Sequence, residues 1–401
     1  MKPHYLLTIF ALIVPVTALA SNTVVLPPGM LMLDGSMAHS VTDVRWDDNR
    51  QAQPLIRGID RYEPGGGLQG TITAKPHVVY NIAVTQLQLG VLENLTLAAA
   101  LPVVTSSSIN PNLGWIPGVY QPQMGRKYSE ADFWGWAKSM GQNKPGNFSG
   151  NNGVLADMVL GARYRLPQVG LLRSLGLDAA ITAQFALPTG RDPDPEQLVA
   201  GGTRVWDLHD YGDAELHLAI EKAFTFDGVP RLRLGVDVYH SILRERTFQT
   251  PTGAQSPLLL TFAPYVGGTY RLDPGDLDGI TGLIEVVPLV GPTWPVWIAG
   301  HDIKQAAKFP PLLQLWFAHT YVHVAQSYWH SNSALWDWQH DRDWLPGDKN
   351  TVKLGGEFSM MRLGIPMSLY ASYRAQDWIP GRNTRASDVL MVGARLIVKV
   401  W

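Results

Sequence analysis

Cysteine is absent from the 401-residue chain, so neither a disulfide scaffold nor a thiolate metal site is available to it. Long apolar runs are nearly absent as well. The one sustained run, Tyr5 to Val16, falls short of the about 20 apolar residues that a membrane-spanning helix needs. Charge of one sign is missing too: 32 Lys and Arg stand against 34 Asp and Glu, for a formal net charge of -2. That balance offers no basic field to a nucleic-acid partner. A phosphate cradle is also lacking, because Gly65-Gly66-Gly67 has no following lysine and no strand-to-helix setting. With neither a nucleotide site nor an energy-coupling box, no energy source is visible and no cofactor is expected.

What is present begins at the N-terminus. Lys2 and His4, the run Tyr5 to Val16, and Ala18-Leu19-Ala20 before Ser21 follow the charged start, apolar core and small-x-small cleavage site of a secretory signal peptide. Residues 1–20 are therefore expected to direct export and to be removed, leaving 21–401 as one domain. The chain carries 14 Trp, 14 Tyr, 39 Gly and 29 Pro. Many turns with many amphipathic aromatics suit a membrane β-barrel, whose interfaces carry aromatic girdles. A periplasmic β-sandwich or solenoid is the competing architecture.

Period-two alternation fits either, and the rest of the chain decides between them. Met158, Leu160, Ala162, Tyr164 and Leu166 alternate with Val159, Gly161, Arg163 and Arg165, and Leu177 to Leu187 repeats the pattern with Ile181 and Phe185 opposite Thr182 and Gln184. Each is a strand with two different surroundings. Similar stretches run along the chain, and their connections alternate long and short, as the outside loops and periplasmic turns of an outer-membrane barrel do. The expected fold is all-β: an antiparallel transmembrane β-barrel of about 12 strands, an even number with both termini in the periplasm. Leu258 to Leu272 is one of those strands in this reading, and a parity change near Thr85 and Gln86 predicts a bulge. The count requires 292–350 to be a single extracellular or lumen-plugging insertion. Within it Pro310 and Pro311 suit a helix start, and Leu312, Leu315, Trp316, His319, His323 and Gln326 fall at helical spacing. A helical lid or plug is expected there.

The segments Ala156-Asp157-Met158-Val159-Leu160-Gly161-Ala162-Arg163-Tyr164-Arg165-Leu166 and Phe185-Ala186-Leu187-Pro188-Thr189-Gly190-Arg191-Asp192 are followed by Gly201-Gly202-Thr203, Trp206-Asp207 and Gly212-Asp213. Together they resemble the outer-membrane family of the meta-pathway of phenol degradation. The resemblance is concentrated in Ala156 to Asp213 and diffuse elsewhere. It implies a β-barrel channel that admits aromatic or other hydrophobic compounds. At the C-terminus Trp401 is the terminal aromatic expected to be read by the barrel-assembly machinery, although Arg395 and Lys399 share its parity.

Parity places Arg163, Arg165, Gln184, Asp213, Glu215, His217, Asp237 and Arg271 on the lumen side, where charges of both signs hydrate the interior and some line a solute path. Trp115, Trp134 and Trp136 in the long outside loop, and Trp336 and Trp338 in the insertion, form either the rim of an admission site or a mini-core folded over the mouth. His319 and His323 lack a completing carboxylate, so no metal site is expected. No catalytic residue is assigned; His330 and Ser333 have the residue types of an outer-membrane lipid hydrolase but not its spacing. The expected function is passive diffusion of a small hydrophobic or aromatic solute across the bacterial outer membrane, with membrane lipid as the surround. A lipid-modifying hydrolase and a non-transporting structural or binding barrel are the alternatives.

Overall fold

The computed structural model describes residues 22–400 except 63–66, 122, 140–143, 145, 151–152, 191–213, 227–228, 250–268, 274, 292–295, 299–300, 304–309 and 332–345. Twelve antiparallel strands close into a barrel: β1 (Met30–Trp46), β2 (His77–Leu92), β3 (Leu95–Asn110), β4 (Met158–Arg165), β5 (Asp178–Leu187), β6 (Ala214–Phe226), β7 (Val229–Ile242), β8 (Leu277–Leu289), β9 (Leu313–Val324), β10 (Gly347–Ser359), β11 (Met367–Ala375) and β12 (Thr384–Lys399). Each pairs with the next, and β12 closes on β1 along a ladder running from Met30↔Lys399 to Trp46↔Thr384. Closure leaves no strand edge with unpaired backbone groups.

The alternation sorts side chains as the period demands. Leu33, Leu97, Leu160, Ile181, Leu218, Val236, Ile284, Phe317, Leu354 and Leu390 are all exposed on the outer face. An exposed apolar band carried by every part of the wall is the pattern of a membrane β-barrel. No helix among the described residues is long and apolar enough to cross a membrane. Among the described residues there are two short α-helices: α1 (Glu130–Ser139) in the β3–β4 loop, and α2 (Gly170–Leu175) in the β4–β5 turn. Gly176 ends α2 at φ 62°, the left-handed position that a Cβ disfavours.

Three expectations are corrected. The helix expected over Pro311 to Gln326 is instead a barrel strand, β9, hydrogen-bonded to β8 from Leu277↔Val324 and to β10 from Leu313↔Phe358. Residues 292–350 are therefore not one insertion, since the barrel wall passes through them. Leu315, Phe317 and Tyr321 face outward while Trp316, Ala318 and Val322 are buried. Both faces carry apolar residues, so helical and strand spacing are both satisfied locally, and only the ladder, which pairs every backbone group, decides. Pro310 and Pro311 precede a strand, which proline tolerates at its start. Second, the described end of the strand expected over Leu258 to Leu272 is not in the wall, and residues 258–268 lie outside the described residues. Its part beyond 268 lies in Thr269–Asp273, within a separate sheet with Arg246–Gln249 and Tyr328–Ser331. The strand count survives because one strand replaces the other. Third, the ladders of β2 run without a shift through Thr85 and Gln86. The parity change there is a change of lining: Val78, Tyr80, Ile82 and Val84 face inward together with Gln86 and Gln88.

The chain ahead of β1 turns into the barrel. Gly29 donates its N–H to Gly90 O at 2.9 Å, and Met30 to Pro27 O at 3.1 Å. A Cβ on Gly90 would lie 2.0 Å from Pro27 O, so the segment crosses β2 where no side chain obstructs it. The expected signal peptide, residues 1–20, lies outside the described residues.

Candidate functional site: the barrel lumen

Four of the residues expected to line the lumen converge on one network. Gln184 Nε2 donates to Glu215 Oε1 at 3.0 Å, and Ser241 Oγ donates to Glu215 Oε2 at 2.5 Å. His217 lies between Glu215, which its Nε2 contacts, and Asp237, whose carboxylate is 3.2 Å from its Nδ1. Register explains the convergence: Gln184 stands opposite Glu215, Glu215 opposite Ser241, and His217 opposite Tyr239 on adjacent strands. The N-terminal segment binds to this wall. Asn22 N donates to Glu221 Oε1 at 2.6 Å, Asn22 Nδ2 to Asp237 Oδ2 at 2.6 Å, and Thr23 Oγ1 to Glu221 Oε2 at 2.7 Å. Arg163, also lumenal as expected, donates to Val24 O at 3.1 Å and to Thr182 Oγ1 at 3.1 Å. Leu26 N reaches Thr96 Oγ1 at 2.8 Å. Residues 22–28 thus occupy the lumen as a plug held by β3, β4, β6 and β7. Nothing in the local sequence of this segment signals its position, because its partners lie on strands 70 to 215 residues away.

At the β12–β1 closure a second buried network forms. Arg395 Nε donates to Asp34 Oδ2 at 2.7 Å, its Nη1 pairs with Glu357, and Tyr370 OH donates to Asp34 Oδ1 at 2.6 Å. Arg395 is 1% exposed. A guanidinium so deeply buried is tolerable only because two carboxylates surround it.

Part of the lining is apolar. Val78, Tyr80, Ile82 and Val84 of β2 pack with Ala38, Ala100, Val104, Val159, Ala186 and Val389, and Leu55 from the first outside loop joins them. A second cluster joins Leu283, Trp316, Ala318 and Tyr370, with Met391 against it. Here the wall is built to hold rings flat. Trp316 stands opposite Gly355, Tyr370 opposite Gly393 and Tyr239 opposite Gly279. A Cβ on those glycines would fall 2.5, 2.5 and 2.1 Å from the facing ring. Each ring therefore lies on the bare backbone of the next strand and lines the interior with its face. Trp316 and Tyr370 were not among the expected lumen residues; the parity of β9, had it been read as a strand, carries the signal for Trp316.

The loop aromatics among the described residues pack on one another. Trp115 stacks on Phe133 of α1 at 5.2 Å and donates its indole N–H to Tyr128 O at 3.0 Å, while Phe133 meets Trp134 edge-on at 4.8 Å. The Arg61 guanidinium lies 3.5 Å over Trp136. α1 starts with a capping box, Ser129 Oγ and N both donating to Asp132 Oδ2 at 2.6 and 2.8 Å. Arg126 holds Asp132 from the other side, and the two together keep its carboxyl below the usual range. Of the two readings of these aromatics, packing against one another is what the geometry shows.

The remaining candidates separate from the lumen network. Arg165 is exposed at the barrel end next to the β4–β5 turn. Arg271 is not lumenal: it pairs with Glu245, and its strand Thr269–Asp273 belongs to the outside three-stranded sheet. Asp213, Trp336, Trp338 and Ser333 lie outside the described residues, and His330 falls in the outside sheet. His319 and His323 share the outer face of β9, where they contact Asn350 and Asp348 at 3.3 Å each. Among the described residues no group of three potential metal ligands occurs.

A closed 12-stranded antiparallel barrel with an apolar outer band and a lined, plugged interior is an outer-membrane barrel by fold. Solved structures bear this out. The chain is similar to an outer membrane channel from Pseudomonas putida F1, with a TM-score of 0.53 and 9% identity over 94% of this chain and 98% of that one. At lower similarity it matches the monoaromatic hydrocarbon channel CymD (TM-score 0.33, 9% identity, 92% and 89% covered) and the toluene transporter TodX of Pseudomonas putida (TM-score 0.31, 8% identity, 94% and 90% covered). No protein-family model matches the chain, and no curated protein matches it. At 9% identity the likeness to the first of these supports the fold alone.

Proposed function

We propose that the chain is an outer-membrane channel for passive diffusion of small hydrophobic or aromatic compounds, reaching the bacterial outer membrane by export and through the barrel-assembly machinery. The observation that carries this reading is the lining. A barrel that only needed a hydrated, rigid interior would fill it with paired polar groups, as the Gln184–Glu215–His217 wall does. Instead two apolar clusters, one with rings held flat on glycines, occupy the lumen face. An apolar face turned to the interior is favourable where apolar groups cover it, and a small hydrophobic solute is one such group. The resemblance of Ala156 to Asp213 to the phenol-degradation family points the same way.

Uptake of toluene and phenol by a deletion strain and by its complemented counterpart tests the reading. Higher uptake with the protein present is expected, and equal uptake across a panel of aromatics overturns it.

A further inference from the structure

The lumenal arginines Arg163, Arg233 and Arg395 each have a counter-charge or a carbonyl. Arg163 donates to Val24 O, Arg233 lies 3.1 Å from Glu285, and Arg395 holds Asp34 and Glu357. On β10 and β11 the pattern breaks. Lys353 and Arg374 stand directly opposite each other in the ladder, facing the interior. Like charges in that relation repel. Neither makes an ion pair or a side-chain hydrogen bond among the described residues, and Arg374 Nε is buried without a partner. Lys349, on the same face of β10, is likewise without a carboxylate within ion-pair distance among the described residues.

The surroundings of this pair are as specific as the pair itself. Gly355, two residues from Lys353 on the same face, carries the flattened ring of Trp316, and Ser372 and Met391 continue that row across β11 and β12. Arg374 faces Val389, a member of the first apolar cluster. Successive same-face positions are about 7 Å apart along a strand. Two cations and an apolar shelf therefore lie about the length of one substituted ring from each other. The plug sits elsewhere, on the acidic wall of Glu221 and Asp237, so it does not neutralise this one.

We propose that this wall is a binding subsite for a small apolar carboxylate, whose anionic group pairs with Lys353 and Arg374 and whose apolar body lies on Trp316 and Met391. The inference rests on the channel reading and names its solute class: anionic amphiphiles such as aromatic acids, in addition to neutral hydrocarbons. A carboxylate between the two cations replaces their repulsion with two charge-assisted hydrogen bonds.

Isothermal titration of the purified full-length protein with benzoate, benzyl alcohol and acetate tests it. Benzoate is expected to bind saturably and tighter than either, which share only its apolar or only its anionic part. K353Q/R374Q should weaken benzoate by about tenfold or more, the consequence of losing both charge-assisted contacts, and leave benzyl alcohol unchanged. K353R/R374K, which keeps both charges, should retain benzoate binding and shows that the wall still folds. Benzoate binding that is absent, matched by benzyl alcohol, or equal in K353Q/R374Q overturns the subsite. The strain uptake of neutral aromatics reads the channel separately, so either conclusion can fail alone.

Discussion

The plug is the feature whose energetics can be worked most directly. Glu221 accepts two hydrogen bonds from the segment, from Asn22 N and Thr23 Oγ1, and Asp237 accepts one from Asn22 Nδ2. Hydrogen bonds to a charged acceptor contribute about 1 kcal/mol more than those to a neutral one. The isosteric pair E221Q/D237N therefore weakens docking by about 3 kcal/mol, a shift of about a hundredfold in the docked-to-released ratio. The variant keeps the barrel intact, because Arg233 retains Glu285 and His217 retains Glu215. In planar bilayers the released state should conduct more than the docked one, so E221Q/D237N should visit a larger conductance far more often than wild type. A deletion of residues 22–28 should hold that larger level permanently. A deletion with wild-type conductance would refute the occlusion; a deletion that conducts more while E221Q/D237N behaves as wild type would refute the role given to the two carboxylates.

Other consequences are as direct. R395M leaves Asp34 and Glu357 buried without their cation and should cost about 3–5 kcal/mol in urea unfolding, most of it recovered in R395M/D34N/E357Q; an unshifted midpoint would show that the closure network is not needed. F317R puts a charge on the exposed outer face of β9 and should destabilise the barrel by about 2–4 kcal/mol in lipid, whereas a residue of a lid would tolerate it. The Asp132 carboxyl titrates below its unfolded range because Arg126 and Ser129 hold its charged form. Its contribution to the loop mini-core is thus complete above the ordinary carboxylate pKa and is lost only as pH falls well below it. Tryptophan emission from wild type and from D132N should show the loop unchanged from pH 8 to 5 in wild type but loosened at every pH in D132N; loosening in wild type at pH 5 would contradict the assignment.

The division between what was legible in the chain and what was not follows the range of the interactions. The outer and inner faces of β4 and β5 were legible, because alternation is a property of neighbouring residues: Leu160 and Ile181 are out, Arg163 and Gln184 are in. So was the all-β barrel of 12 strands, which composition, the period and the rhythm of connections together imply. The identity of one strand was not. Leu313 to Val324 carries apolar residues on both faces, so only its ladders with β8 and β10 distinguish strand from helix.

The lumen was half legible for the same reason. Parity found Gln184, Glu215, His217 and Asp237, but which of them touch depends on register, and register is a relation between strands. The inward turn of Val78 to Val84 was visible as a parity change and was open to a wrong cause, since a bulge and an apolar lining look alike in one strand. What the sequence by itself determined is the local period, and with it the barrel. What only the tertiary structure decided is everything that depends on closure: the plug on Glu221 and Asp237, the rings laid on glycines of the next strand, and two cations, Lys353 and Arg374, brought face to face.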